Sequence, residues 1–216
     1  MRRFILWSIL ILTLAGTFAA SAWSLRKGAP AASVTVAATE KDPRAQREGN
    51  PAPGFTGLGL TDQEGRPFDE NRLKGRVWIA DFIFTSCAGT CPGMSAKMAE
   101  LQHHLPLDLL LVSFSVDPKR DTPAALAEYA RRYGAQPGRW FLLSATGVDI
   151  QNDPELLYRF VQHGFGLSAS EGESPEEPII HSVRFVLVDR AGQIRGYYDS
   201  SEPTQFEKLI RDAGSL

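Results

Sequence analysis

From residue 55 onward the apolar residues fall into short dense blocks separated by Gly, Pro and charged positions. Residues 77–84 (VWIADFIF) are almost continuously apolar and rich in β-branched and aromatic side chains, which predicts a strand covered on both faces. Residues 107–116 (LDLLLVSFSV) read the same way, and residues 140–143 predict a third strand. Between these blocks the period changes. Met94, Met98, Leu101 and Leu105 recur at helical spacing behind Pro92, a residue suited to a helix's first turn. A second helix opens at Thr122-Pro123, where the threonine can cap and the proline takes the first helical position. Further helices are predicted at about 153–163 and 202–211, with strands 183–188 and 193–198 joined by Asp189-Arg190-Ala191-Gly192. Ahead of all these, residues 59–68 read as a hairpin whose turn uses Asp62 and Gly65. Strands alternating with helices, closing in a hairpin and a last helix, describe an α/β domain with a mixed sheet.

The first 52 residues follow neither pattern. Residues 4–25 are 22 positions without a charge, between Arg2-Arg3 and Arg26-Lys27, long enough to cross a bilayer as one helix. Ala20-Ser21-Ala22 also offers the small-x-small pattern of a cleaved signal, so these residues leave anchor and signal peptide both open. Either reading sends the remainder out of the cytoplasm. The absence of an Arg- and Ser-rich amphipathic leader favours the bacterial periplasm over an organelle. Residues 26–52 are rich in Ala, Pro and charge with no sustained apolar period, the composition of a flexible linker. That leaves residues 53–216 as one domain. A net charge of −2 gives no basic excess with which to neutralise phosphates, so nucleic-acid binding has no support.

Chemistry concentrates at the two cysteines, in Cys87-Ala88-Gly89-Thr90-Cys91-Pro92 at the junction of strand 77–84 and the helix behind it. Helix N-terminal N–H groups favour a thiolate, the form that binds metal or attacks disulfides. A structural disulfide is the plain alternative in an exported protein, but so short a loop constrains the unfolded chain little. Redox exchange commonly uses C-x-x-C, one residue shorter than this spacing, while metal binding needs more ligands than two sulfurs. Two thiolates plus an imidazole make a credible site for Cu(I) or Cu(II), whereas zinc would ordinarily want a fourth ligand. Of the four histidines, His181 stands just ahead of strand 183–188 and is the best third ligand. His103 and His104 end the cysteine helix and His163 ends another, where imidazolium suits the dipole. Met94 and Met98 share the apolar stripe and read as core. Asp81 interrupts an apolar strand six residues before Cys87, and a buried carboxylate needs either a partner or a raised pKa. Thioredoxins are similar here, with an Asp six before their first active cysteine.

Three ordered blocks carry a wider resemblance: Asp81-Phe82-Ile83-Phe84-Thr85-Ser86-Cys87-x-x-x-Cys91-Pro92, then Ser115-Val116-Asp117-Pro118 with Asp121-Thr122-Pro123, then His181-Ser182 before Phe185-Val186-Leu187-Val188-Asp189. Over residues 53–213 the chain closely resembles the Sco/SenC family. The resemblance implies a thioredoxin-like fold, a single N-terminal transmembrane anchor, and copper held by Cys87, Cys91 and His181. It also implies a part in building the binuclear copper centre of cytochrome c oxidase subunit II or another copper-site protein; with the export signal above, the expectation is a monomer at the periplasmic face of a bacterial inner membrane. Periplasmic copper donors or thiol reductants would supply it. Delivery of copper and reduction of the target's cysteines would use the same thiols, so a thiol-disulfide oxidoreductase is the alternative. Asp117 and Asp121 belong to the family motif, but helix capping accounts for much of it and no catalytic part is assigned to them. A peroxiredoxin-like peroxidase is disfavoured, because residues 80–87 (ADFIFTSC) lack the Pro and the Thr three before Cys of that motif.

Overall fold

The structure is a computed structural model that describes residues 44, 47–55, 57–147, 150, 153, 155–172 and 179–216. The described residues lie in the unit Lys41–Leu216. The apolar run 4–25 and most of the linker lie outside them, and among the described residues no helix is long and apolar enough to cross a membrane. The end of the expected linker is not free: Gly49, Asn50 and Ala52 exchange backbone hydrogen bonds with Gly192 and Ile194, and Pro51 bridges Gln193.

The blocks of apolar sequence become the centre of a six-stranded mixed sheet. Its strands are β1 (Leu60–Asp62), β2 (Trp78–Ile83), β3 (Leu110–Ser115), β4 (Trp140–Ala145), β7 (Arg184–Val188) and β8 (Ile194–Asp199), in the order β1-β4-β3-β2-β7-β8. β2, β3 and β4 run parallel, and all six residues of each are buried. Central parallel strands are covered on both faces, so a nearly unbroken apolar run is what such a position requires. β1, β7 and β8 pair antiparallel and flank them. The predicted N-terminal hairpin survives as β1 bridged to Pro67, with Asp62 Oδ1 accepting the Glu64 and Arg66 amides in its turn.

Helix α1 (Cys91–His104) follows β2 and helix α2 (Pro123–Arg132) follows β3. Ser95 on α1 hydrogen-bonds Tyr129 on α2 at 2.8 Å beneath their shared apolar faces. Met94 and Met98 are fully buried there, as their place in the stripe predicts. Thr122 Oγ1 accepts the Ala125 amide and caps α2. The end of α1 is closed differently: buried Arg139 donates to the carbonyls of Gln102, Leu105 and Pro106 at 2.6–3.1 Å. A guanidinium without a carboxylate is tolerable there because the carbonyl end of a helix carries partial negative charge.

The opposite face packs against an aromatic cluster of Phe55, Phe82, Phe114, Phe160 and Phe165, with ring centroids 5.2–6.0 Å apart. Phe160 lies within, and Phe165 just beyond, the region predicted as one helix over about 153–163. Instead, a short helix α3 (Glu155–Arg159) opens into a π-turn over Phe160–Gly164. Wider turns of this kind break helical register, and Gly164 lies so close to Pro53 that a Cβ there would come within 2.7 Å of its ring. Helix α4 (Pro203–Gly214) covers β8.

One correction bears directly on the site. His181 does not sit in a loop before β7. It ends a short strand β6 (Ile179–His181), paired antiparallel with β5 (Ala169–Glu171) in a separate two-stranded sheet, and β7 begins only at Arg184. The period-two signal is too short to show in three residues. Residues 170–177 (SEGESPEE), an acidic stretch expected to be solvated, lie for the most part outside the described residues, which omit 173–178.

Candidate metal centre

At the carboxyl end of β2 the chain leaves the sheet. The Val116 amide still reaches the Ile83 carbonyl, and Phe84 stays buried. Thr85 then turns the backbone, held by the carboxylate of Asp121, which accepts its amide at 3.1–3.2 Å and its hydroxyl at 2.5 Å. Ser115 donates to the same carboxylate at 2.6 Å. Asp121 is thus a buried strut between β3 and the cysteine loop, and not a helix cap. Burial raises its pKa, opposed by the hydrogen bonds from Ser115 and Thr85. The Asp117 amide donates to Ser115 Oγ, and its carboxylate accepts from Arg120. The signal for Asp121 was present as a polar pair, Ser115 and Asp121, flanking an apolar strand, but only the contact with Thr85 reveals its role.

After Thr85 the Cys87 amide bonds back to the Phe84 carbonyl, and Ser86 and residues 88–90 are exposed. Cys87 is half-buried, Cys91 opens α1 fully buried, and both are free thiols. The expectation that the helix terminus would favour a Cys91 thiolate is overturned. Burial raises that thiol well above the ordinary range. A helix terminus contributes at most about 2 kcal/mol, whereas full burial can move a pKa by about 3–5 units, so desolvation wins.

β6 brings His181 to the pair, with Nε2 at 3.1 Å from Cys91 Sγ. Nδ1 faces the Ser182 carbonyl at 3.1 Å, so Nδ1 carries the proton and the Nε2 lone pair points toward the sulfur. Phe84 packs edge-on to the imidazole, centroids 5.6 Å apart, and burial lowers the histidine's pKa, which keeps it neutral. The donor atoms of Cys87, Cys91 and His181 all lie within 4.8 Å of one another, the one such group of three or more among the described residues. Two sulfurs and a neutral imidazole nitrogen converging this closely fit a soft or borderline metal ion. The remaining histidines stay away: His103 and His104 are exposed at the end of α1, and His163 is exposed in the π-turn.

Asp81 lies in mid-strand, paired in register with Ser113, wholly buried. Neither carboxylate oxygen meets a hydrogen-bond partner, and burial pushes its pKa up to about 7 against a downward pull from the nearby Ser113 hydroxyl. Of the two ways to bury a carboxylate, a partner or a raised pKa, the structure takes the second and leaves an isolated acid under α1.

Residues 52–213 match the family model of SCO1/SenC. A SCO1 protein homolog of Bacillus subtilis is 34% identical over 158 residues, covering 71% of this chain and 78% of its own. A Stutzerimonas stutzeri protein whose name refers to copper binding is 33% identical over 147 residues, covering 65% and 66%. Among solved structures, BsSco is 31% identical with a TM-score of 0.61, over 78% of this chain and 92% of its own. It is described as having a disulfide switch and as a member of the Sco family of cytochrome c oxidase assembly proteins.

Proposed function

The chain belongs to the SCO1/SenC family, and from that premise we propose that it carries copper on Cys87, Cys91 and His181 for assembly of a copper enzyme, with the binuclear centre of cytochrome c oxidase subunit II as the destination. The observation that carries this reading is the convergence of two sulfurs and one unprotonated imidazole nitrogen within 4.8 Å. The copper-binding name of one relative and the assembly role given to BsSco support it. The domain works at the periplasmic face of a bacterial inner membrane, tethered by residues 4–25.

Copper here is cargo. Its arrival displaces a proton from each thiol, and Cys91 requires this most because burial disfavours its free thiolate. His181 needs no proton loss, since the Ser182 carbonyl already fixes the productive tautomer. Cys87, half-exposed beside exposed Ser86 and Ala88, is the sulfur that an incoming thiolate can reach, so ligand exchange begins there. A Cu(I) competition titration of wild type against His181→Ala tests the site: indifference of the affinity to His181 would remove it.

One observation favours a second reading. Both cysteines are free thiols, one accessible and one buried, an arrangement suited to reducing a target disulfide. Two electrons and two protons would pass to the target as the Cys87–Cys91 bond forms. Stoichiometric reduction of an oxidised subunit II fragment by the metal-free dithiol, at a rate unaffected by His181→Ala, would select it.

A further inference from the structure

The end of the sheet opposite the cysteines, where β2, β3 and β4 begin, has a different surface. Among the described residues two large apolar side chains are exposed, Leu107 at 82% and Leu216 at 36%, and Arg190 ties both to this end. Its guanidinium reaches the Leu216 carbonyl at 3.2 Å, the Gly75 carbonyl at 3.5 Å and the Asp108 carboxylate, next to Leu107, at 3.1 Å. Beside Leu107 lies a recess of about 320 Å³ lined by Arg72, Arg76, Leu107, Leu110, Gly138 and Phe141. Arg72 stacks over the Phe141 ring at 5.3 Å, and Arg76 donates to the Asp108 backbone carbonyl. Arg72, Lys74 and Arg76 are exposed, and none forms a salt bridge with a described carboxylate. The acid at this patch, Asp108, is already engaged by Arg190.

An open leucine beside exposed Arg72 and Arg76, with exposed Lys74 between them in sequence, matches the chemistry of an anionic lipid surface, with apolar insertion flanked by contacts to phosphates. We propose that this end of the domain docks on an anionic phospholipid bilayer, Leu107 entering the acyl boundary and Arg72, Lys74 and Arg76 meeting headgroup phosphates. β2 spans six residues, roughly 20 Å, so the docked domain holds Cys87, Cys91 and His181 turned away from the bilayer. The inference rests on the membrane tether proposed above. The Gly49 amide bonds the Ile194 carbonyl and Pro51 bridges Gln193, which pins the chain from residue 49. The stretch 26–48 ahead of it can reach roughly 75 Å, and so leaves orientation to the domain's own surface.

The test uses the full chain in lipid nanodiscs of pure phosphatidylcholine or of phosphatidylcholine with phosphatidylglycerol, followed by hydrogen exchange. The expected result is slower exchange at residues 72–76 and 105–110 in the anionic discs alone, abolished by 0.5 M salt, on the order of a few Debye lengths' screening across the patch. Arg72→Gln with Arg76→Gln should weaken this protection roughly thirtyfold, two cations' share of surface attraction, and Leu107→Asp should remove it while leaving Cu(I) affinity unchanged. Chains that co-elute with both discs but show no lipid-dependent protection overturn the docking face and leave the tether standing. Chains that elute apart from both overturn the tether and the face together. Protection produced by polyglutamate instead of lipid assigns the patch to an acidic protein and also overturns the proposal.

Discussion

Cys87 and Cys91 are placed by one continuous stretch of chain, strand to loop to helix, whereas His181 reaches them from 90 residues beyond Cys91 on a two-stranded sheet. The first region grows out of β2, which is buried over its whole length and paired on both sides. The second rests on three residue pairs of β5 and β6, buttressed by Gln162 donating to the Ala169 carbonyl and the Ser182 amide reaching Ser168. Two short strands are marginal alone. The difference teaches that the dithiol is a fixed platform, while the imidazole is a ligand on the less stable element, one that local opening can withdraw.

The largest expected effect tests how firm the platform is. Asp81 is unpaired beneath α1 with its pKa raised from 3.8 to about 7 by burial. The folded state therefore holds a proton that the unfolded state loses above pH 4, and stability falls as pH rises from about 4 to 7. By linkage the cost is on the order of 4 kcal/mol above pH 7. Asp81→Asn should recover much of this at pH 8 and progressively less toward pH 4. Denaturant titrations across that range would show the trend, and a pH-independent difference would sink it.

Next come the sulfurs. Cys91→Ala should lower Cu(I) affinity roughly a hundredfold to a thousandfold, a fair share of the binding energy of a small thiolate site. Competition with a chromophoric chelator measures this. Removing the strut is milder: Asp121→Ala strands the Thr85 amide and hydroxyl and the Ser115 hydroxyl, and should cost about 2–3 kcal/mol of stability. Cu(I) affinity should fall with it, because Thr85 steers the loop. An Asp121→Ala protein with unchanged affinity would mean that the loop holds its shape unaided.

The smallest effect belongs to the hairpin. His181→Ala should weaken Cu(I) binding about tenfold to a hundredfold with only a small drop in the melting temperature of the metal-free domain, since the ring is held by the Ser182 carbonyl, the Cys91 sulfur and the Phe84 edge. Amides of β5 and β6 should exchange faster than those of β2 in the metal-free protein and gain protection on loading. Equal protection before loading would erase the contrast between the two regions.

Much of this molecule was legible along the chain because the relevant signals are local. Continuous apolar blocks marked β2, β3 and β4, helical spacing marked α1, and Thr122-Pro123 marked the start of α2, each set by side chains within one element. The cysteines could be seen as a working pair because strand, loop and helix lie in one stretch. His181 was visible as a ligand through its place in an ordered set of motifs, but its strand was not, because three residues carry no readable period. The π-turn after α3 was hidden for another reason: Phe160, Phe165 and the close pass of Gly164 against Pro53 are demands of the aromatic core, and local propensity says nothing of them.

The amino-acid sequence by itself determined the α/β class, the central strands, the dithiol at a helix start and the residue types able to hold a soft metal, since each depends on neighbours in the chain. Only the tertiary structure decided what surrounds those residues. It buried Cys91 deeply enough for desolvation to outweigh the helix terminus, left Asp81 without a partner, turned Asp121 into the strut of the cysteine loop, and set the His181 lone pair 3.1 Å from a sulfur. Burial and distance between remote residues exist only once the chain has folded, and they set the protonation states on which this site depends.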